Sequence, residues 1–354
     1  MDLSALSLPV LLGIFIAAAV AIWLAGVKLS DTTDILSARL GLGEALGGAI
    51  ILAVVTNLPE IAITVSAALK GNLGIAIGNI LGGIAIQTVV LVILDAFGLG
   101  KAGALSFKAA SMSLILEALS VVTILAVVIL GHQLPANLIF LRFPPASLLI
   151  AIIWIVSLWL INKANQDLPW VEQGHAPDSQ KQLKGHAKAK KDQRAKATST
   201  GKVSMLFFVC ALITLVAGVA LEESGDAIAK QIHMGGVVFG ATVLALATSL
   251  PEISTGLTSV KMGDYKMAMS DIFGGNAFLP VLFLLAALLS GKAPLPQAQN
   301  TDIFLTSLAI ILTAIYICGM IFRPRKLILN MGIDSLLVLT TYFFGILGLL
   351  IIAH

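Results

Sequence analysis

The chain has 354 residues, of which 58% are apolar and only 12% are charged, and its mean hydropathy is +0.99. This composition excludes an ordinary water-soluble domain, because soluble chains carry about 25% charged residues. The net charge of +3 is small and gives no indication of nucleic-acid binding. We therefore expect an integral membrane protein whose surroundings are the lipid bilayer.

Ten apolar segments are long enough, or nearly long enough, to cross a hydrocarbon core about 30 Å thick. They are continuous runs without the two-residue alternation of a membrane barrel, so they predict helices. We therefore predict an all-α membrane protein with about ten transmembrane helices. The segments lie near 8–27, 45–69, 73–97, 109–131, 146–162, 203–221, 235–260, 266–290, 303–322 and 333–353.

The distribution of Lys and Arg predicts the orientation. Of the 22 basic residues, 18 fall in one set of alternating loops, which should be cytoplasmic by the positive-inside rule. Both termini are then outside. We expect a multi-pass protein of a bacterial-type plasma (inner) membrane.

One long polar segment, 163–202, divides the chain. It contains QKQLKGHAKAKKDQRAKATSTGK and few aliphatic residues, so we predict a basic, disordered cytoplasmic linker. A weak contact with anionic lipid is the alternative. The linker separates a first five-helix repeat at 1–162 from a second at 203–354.

Two stretches of the chain repeat each other. Residues 51–83 and 243–275 align without a gap at an offset of 192, and twelve of the 33 pairs are identical. Each copy places a glutamate, Glu60 or Glu252, inside an apolar run, where a carboxylate is costly and by default functional. Five crossings separate the two glutamates, so the copies run in opposite directions. The sequence therefore predicts inverted repeats, an organisation typical of transporters.

The repeated motif gathers oxygen atoms at one level of the membrane. In the first copy Thr56 and Glu60 share a helix face, and Pro59 leaves the Val55 carbonyl without its helical donor. Hard cations such as Ca²⁺ and Na⁺ prefer such ligands. A proline kink with a snorkelling glutamate is the structural alternative. The second copy supplies Thr248, Ser249, Glu252 and the Ala247 carbonyl.

Further acids lie in or near the predicted spans. In the glycine-rich helix after each motif, Asn79 corresponds to Asp271, which we interpret as a ligand or a proton site. We interpret Glu117 as a packing or interhelical hydrogen-bonding residue, with a role on a proton path as the alternative. Asp95 and Asp334 lie near span ends, where we expect them to reach water.

The paired motifs resemble the two alpha-repeats of the sodium/calcium exchanger family, which read G-T-S-x-P-E followed by G-N-x-x-G-S-N. The resemblance implies that Glu60 and Glu252 are the central shared carboxylates. It also implies two further kinds of ligand, side-chain oxygens and backbone carbonyls. The side-chain oxygens belong to Thr56, Thr248, Ser249 and Asn57, and the carbonyls to Ala53 and Ala245.

The chain departs from the family pattern at the outer ligand positions. The family serine is replaced by Gly83 and Gly275, and the next polar position holds Gln87 in one half and Leu279 in the other. Asp271 adds an acid nearby. Because the family's sites for Na⁺ need these outer ligands, their loss argues against Na⁺ as the coupling ion.

We therefore expect a cation antiporter of sodium/calcium exchanger type. It would move Ca²⁺ in exchange for Na⁺ or H⁺ by alternating access. A monovalent cation (Na⁺ or K⁺)/H⁺ exchanger is the alternative. A passive channel fits buried carboxylates less well, and the spans hold no catalytic motif of an enzyme. We expect no cofactor besides the transported cations, and the sequence leaves the oligomeric state open.

Overall fold

The computed structural model describes residues 3, 5–39, 53–100, 103–164, 199–232 and 240–353. The described chain is almost entirely helical. A turn of π-helix, Asp95–Leu99, follows the fourth helix of the first half. The helices of this half are α1 (Leu8–Arg39), α2 (Ala53–Thr56), α3 (Leu58–Leu69), α4 (Leu73–Leu94), α5 (Leu105–Ala109), α6 (Met112–His132) and α7 (Pro145–Ala164).

The second half begins with the same order of helices. Its helices are α8 (Thr200–Gln231), α9 (Ala245–Thr248), α10 (Leu250–Lys261), α11 (Tyr265–Phe278), α12 (Leu282–Ser290), α13 (Asn300–Phe322) and α14 (Ile333–Ala353). Between them lie a π-turn at Gly240–Leu244, 3-10 turns at Leu279–Val281 and Leu295–Gln297, and an antiparallel hairpin of β1 (Leu327–Ile328) with β2 (Met331–Gly332). Each of α1 to α4 begins 192 residues before its counterpart among α8 to α11, so the repeat extends over the first span as well.

Eight helices within the described residues are long and apolar enough to cross a membrane. A ninth span consists of Thr242–Thr248 and Leu250–Lys261, which are bent by 52°. The counterpart of that span, predicted at 45–69, is described only from Ala53 onward. Residues 165–198 of the predicted linker also lie outside the described residues, and α8 already begins at Thr200.

Each motif breaks its span at one residue. Pro59 and Pro251 occupy the second position of α3 and α10, where a missing N–H leaves no helical bond unmade. The residue before each new helix leaves the helical conformation, with φ −86° and ψ 18° at Asn57 and φ −82° and ψ 7° at Ser249. The sequence therefore places both breaks one turn before the glutamates.

The two halves cross-pack at the motif prolines. A Cβ on Gly26 of α1 would lie 3.0 Å from the Cα of Pro251, and a Cβ on Gly218 of α8 would lie 3.0 Å from the Cα of Pro59. The two glycines are repeat counterparts. Helix α1 also packs along α8. Each first span therefore holds the broken span of the opposite half.

The core and the lipid-facing surface are clearly separated. Helix α4 is buried over most of its length and packs with α11 and α13 in the main apolar cluster. Helices α7, α8 and α14 instead expose large side chains such as Trp159, Phe208 and Phe344, as helices in contact with lipid do.

The expectation that Asp95 and Asp334 reach water is wrong, because both side chains are buried. Asp95 accepts hydrogen bonds from the backbone N–H groups of Leu105 (2.8 Å) and Gly332 (2.7 Å) and from the Ser335 hydroxyl (2.6 Å). Its carboxyl group therefore ties the end of the third span to the start of the last. The hairpin before α14 folds over this position, which distance from a span end alone does not reveal.

Candidate cation site

Both motif glutamates are fully buried where the broken spans meet. Glu60 is 0% exposed and Glu252 is 1% exposed. Glu60 lies beside Thr248 of the opposite motif, and neither of its carboxyl oxygens accepts a hydrogen bond of good geometry from a described residue. A buried carboxyl group without partners requires a proton or a cation.

Glu252 is partly satisfied. Its Oε1 accepts a hydrogen bond from Nε2 of Gln87 at 3.2 Å, whereas Oε2 has no partner among the described residues. Glu60 and Asp271 are its acidic neighbours. The two repeat halves thus bring three carboxyl groups into one buried region.

Asp271 bridges elements of both halves. Thr56 donates to its Oδ1 at 3.3 Å, and Thr255 donates to its Oδ2 at 2.6 Å. Thr255 is absent from the residues predicted from the sequence, although it lies three residues after Glu252 and is polar in an apolar span. Glu117 is buried beside Ser270, the residue before Asp271, which agrees with an interhelical hydrogen-bonding role.

The predicted carbonyl ligands already accept hydrogen bonds from their own motifs. The Ala53 carbonyl accepts from the Asn57 N–H (3.3 Å), the Asn57 side-chain amide (2.6 Å) and the Thr56 hydroxyl (3.4 Å). The Ala245 carbonyl accepts from the Ser249 N–H (3.0 Å), the Ser249 hydroxyl (2.8 Å) and the Thr248 hydroxyl (3.1 Å). A cation at either carbonyl would have to displace these donors.

The halves differ at the outer positions. Gln87 donates through Nε2 to Oδ1 of Asn57 (2.9 Å) as well as to Glu252, and a Cβ on Gly275 would lie 2.7 Å from Nδ2 of Asn57. In the other half Leu279 faces Gly83, and the Cδ1 atom of Leu279 lies 3.8 Å from the point where a Cβ on Gly83 would be. One outer position is therefore filled by two amides and the other by an apolar side chain.

The helices that follow the motifs, α4 and α11, each contain a buried asparagine. Asn79 is buried, and its Nδ2 has no partner among the described residues. Asn276 donates to the Thr88 hydroxyl at 3.1 Å and joins α11 to α4. Asn276 is also absent from the residues predicted from the sequence, although it too is polar in an apolar span.

The carboxyl groups do not form a preassembled metal cage. No group of three or more His, Cys, Asp or Glu side chains in the described ranges has the spacing of a metal centre.

Two inverted, broken spans that bring buried carboxyl groups together define a secondary cation transporter. The family model described as sodium/calcium exchanger protein matches residues 10–163 and 203–351. The chain therefore belongs to the sodium/calcium exchanger family. It is an integral, multi-pass membrane cation antiporter, and its family is one of transporters rather than enzymes.

Individual relatives agree with this assignment. The chain is 24% identical to inner membrane protein YrbG of Escherichia coli (strain K12) over 279 residues, which cover 78% of each protein. It is 33% identical over 78 residues to sodium/potassium/calcium exchanger 1 of Homo sapiens, covering 21% of this chain and 7% of that one.

A structure of the sodium-calcium exchanger NCX_Mj, soaked with 10 mM Na⁺ and 10 mM Sr²⁺, matches with a TM-score of 0.64 and 17% identity. It covers 96% of this chain and 99% of the other. The predicted fold of about ten helices in two inverted repeats is confirmed.

Proposed function

We propose that the protein moves Ca²⁺ across a bacterial-type inner membrane in exchange for Na⁺ or H⁺. The ions would compete for one site, whose central ligands are Glu60 and Glu252. Both termini would be outside and the 163–202 linker cytoplasmic. Related exchangers whose names include sodium and calcium support this choice of ions.

One observation carries the proposal. Glu60 and Glu252 occupy equivalent positions on two broken spans, both are buried, and three of their four carboxyl oxygens have no partner among the described residues. Two glutamates together supply the charge that one Ca²⁺ neutralises. A site that is left unsatisfied in this way favours binding of a cation.

The same pair gives proton coupling a physical basis. Two neighbouring carboxyl groups repel each other when both are charged, so an empty site retains a proton on one of them. Cation entry displaces that proton. Hydroxyls of Thr56, Thr248 and Ser249 and the Asp271 carboxylate complete the proposed oxygen set, with the carbonyls of Ala53 and Ala245 and the amides of Asn57, Asn79 and Gln87 as further members.

A monovalent cation/H⁺ exchanger is the second candidate. Two observations favour it. Leu279, which packs against Gly83, leaves one outer position without a hard oxygen ligand, and the other outer position holds the amide pair of Asn57 and Gln87. A site with fewer oxygens suits Ca²⁺ less well, because Ca²⁺ takes six to eight of them.

Uptake of ⁴⁵Ca²⁺ into proteoliposomes under imposed Na⁺ or H⁺ gradients tests the proposal. We expect uptake to require a counter-gradient and to stop when an ionophore dissipates it. Empty liposomes and liposomes containing the Glu60→Gln variant serve as controls. Gradient-driven ²²Na⁺ or ⁸⁶Rb⁺ exchange without Ca²⁺ movement would establish the second candidate instead.

A further inference from the structure

A cavity of about 150 Å³ opens near the C-terminal end of α8, where α3 ends and α4 begins. Its volume admits several water molecules. Three acids and two lysines line it: Glu222, Glu223, Asp226, Lys70 and Lys230. None of these residues belongs to the candidate cation site, and the charged lining distinguishes the cavity from a packing defect.

The lysines of the cavity are paired with two of its acids. Lys70 contacts Glu223 at 3.1 Å, and Lys230 contacts Asp226 at 2.6 Å. Glu222 is the third acid. Lys70 is a charged neighbour of Glu222 as well, but its ammonium group bonds to Glu223. It is 8% exposed, it lines the cavity, and its Oε2 has no hydrogen-bond partner in the described part of the chain. A buried carboxylate oxygen in this position requires a positive partner.

Glu222 lies one helical turn from the motif contact. Gly218 packs against Pro59, the residue before Glu60. Glu222 follows Gly218 by four residues, so it lies about 6 Å further along the axis of α8. The cavity is therefore next to the central site along α8.

Helix α3 connects the same two places. Glu60, Thr64 and Ala67 share one face of this helix because they are spaced by four and three residues. Thr64 is 0% exposed, and its hydroxyl oxygen has no partner among the described residues. Ala67 lines the cavity. Unpartnered oxygens of Glu60, Thr64 and Glu222 thus follow one another from the site to the cavity.

We propose that Glu222 anchors a second cation-binding site, at which a hydrated hard cation such as Ca²⁺ is held between bulk water and the Glu60/Glu252 site. The identity of the cation rests on the proposed function. Carboxylate oxygen with retained water suits such a cation. The repeat counterpart of Glu222 is Ser30, so this site belongs to only one face of the membrane.

Equilibrium binding of ⁴⁵Ca²⁺ to the purified full-length chain tests the site. The background carries Glu60→Gln, Glu252→Gln and Asp271→Asn, which remove the three carboxylates of the central site. We expect residual Ca²⁺ binding in this background. Adding Glu222→Gln should weaken it about tenfold or more, the effect typical of losing an outer-shell contact to a metal ion. Adding Glu222→Asp should retain most of it.

Asp31→Asn is the matched control. Asp31 is an exposed acid in the last third of α1, and its repeat counterpart is Glu223. Every variant is measured on the monodisperse fraction from gel filtration, so that unfolding is not mistaken for loss of binding. The proposed site would be overturned if the background variant bound no Ca²⁺, if Glu222→Gln left binding unchanged, or if Asp31→Asn weakened it equally. Failure of Ca²⁺ transport by the wild type, with this binding intact, would count against the proposed function only.

Discussion

The two motif glutamates differ in their surroundings, although the repeat makes them equivalent in sequence. Glu60 has no hydrogen-bond donor of good geometry among the described residues, whereas Glu252 accepts one from Gln87. The first carboxyl group therefore depends on a proton or a cation for its stabilisation. The Glu252 carboxyl group is already stabilised in part by the hydrogen bond from Gln87.

We expect Glu60→Gln and Glu252→Gln each to abolish cation exchange while the protein remains folded. Each variant removes one of two charges that offset a divalent cation and changes the side-chain volume little. Uptake of ⁴⁵Ca²⁺ into proteoliposomes measures the loss, with Asp31→Asn as the control that also removes one acid. Near-normal exchange by either purified glutamine variant would rule out the central site.

Asp271 is expected to take part in proton coupling. Its carboxyl group is held by hydroxyls of both halves, Thr56 and Thr255, and is an acidic neighbour of Glu252. We expect exchange driven by ΔpH to exceed exchange driven by ΔNa⁺, and Asp271→Asn to reduce the ΔpH-driven rate. Because protons compete with the cation for these carboxyl groups, cation affinity should increase as pH rises.

The test compares the rates of exchange driven by ΔpH and by ΔNa⁺ in the wild type and in Asp271→Asn. Thr255→Val is the matched variant, because it removes one donor but keeps the carboxyl group. Strong, pH-independent Na⁺-driven Ca²⁺ exchange that Asp271→Asn leaves unchanged would contradict this role.

Gln87 occupies a position that its repeat counterpart, Leu279, leaves apolar. Its side-chain amide donates to both Asn57 and Glu252, so its nitrogen partly takes the place of a cation. We expect Gln87→Leu to leave Glu252 without a donor and to raise the apparent cation affinity about tenfold, since an unsatisfied buried group costs about 1–3 kcal/mol and a cation would relieve that cost. Concentration dependence of uptake measures the change, and Gln87→Glu, which removes the same donor and adds a carboxylate, should raise the affinity as well. A lower affinity in Gln87→Leu would contradict the donor role.

The residues of the candidate site could be proposed from the sequence, but their contacts could not. Glu60, Glu252 and Asp271 are identifiable because a carboxyl group in an apolar span is conspicuous. The donor role of Gln87 and the bond from Thr255 to Asp271 arise from contacts between separate helices. Neither charge nor spacing along one helix encodes such contacts.

At the scale of the elements, the repeat determines more than the motifs. Helices α1 and α8 begin 192 residues apart, and each packs on the broken span of the other half. The breaks at Asn57 and Ser249 were predictable, since proline defines them. The cross-packing was not, because it depends on which helix approaches the proline.

We expect Gly26→Val and Gly218→Val each to lower stability by about 1–3 kcal/mol, the usual cost of overpacking. A Cβ at either position would lie 3.0 Å from a proline Cα of the opposite half, so the backbones would have to separate. Thermal unfolding in detergent measures the effect. Gly13→Val is the matched control on α1, because a Cβ there meets nothing within 4 Å. Equal melting temperatures for all three variants would contradict the cross-packing.

At the scale of the whole molecule, the two halves are joined both by contacts and by the polar segment between α7 and α8. Contacts such as Gln87 to Glu252 and Asn276 to Thr88 connect them within the membrane. The polar segment has few apolar residues with which to build a core. Its predicted role is therefore that of a tether.

The end of the predicted linker overlaps the start of α8. Its basic part, 180–200, has too few apolar residues for a core and would be dispensable for transport by that criterion alone. The Ser199 hydroxyl caps this helix by accepting from the Lys202 N–H at 3.4 Å, and Arg39 donates to the Thr200 hydroxyl at 2.7 Å. The structure thus assigns Ser199 and Thr200 to the folded second half. A deletion that is meant to spare the fold should end before them.

We expect deletion of 180–198 to retain substantial exchange activity, because the remaining residues still connect α7 with α8 and the deleted ones supply no apolar core. A second deletion, 180–200, removes the cap and the Arg39 contact as well. It should be less stable by about 1 kcal/mol, the usual cost of losing an N-cap. Uptake in proteoliposomes and thermal unfolding in detergent distinguish the two. Complete loss of exchange by the shorter deletion, with normal membrane insertion, would mean that the segment contributes directly to transport.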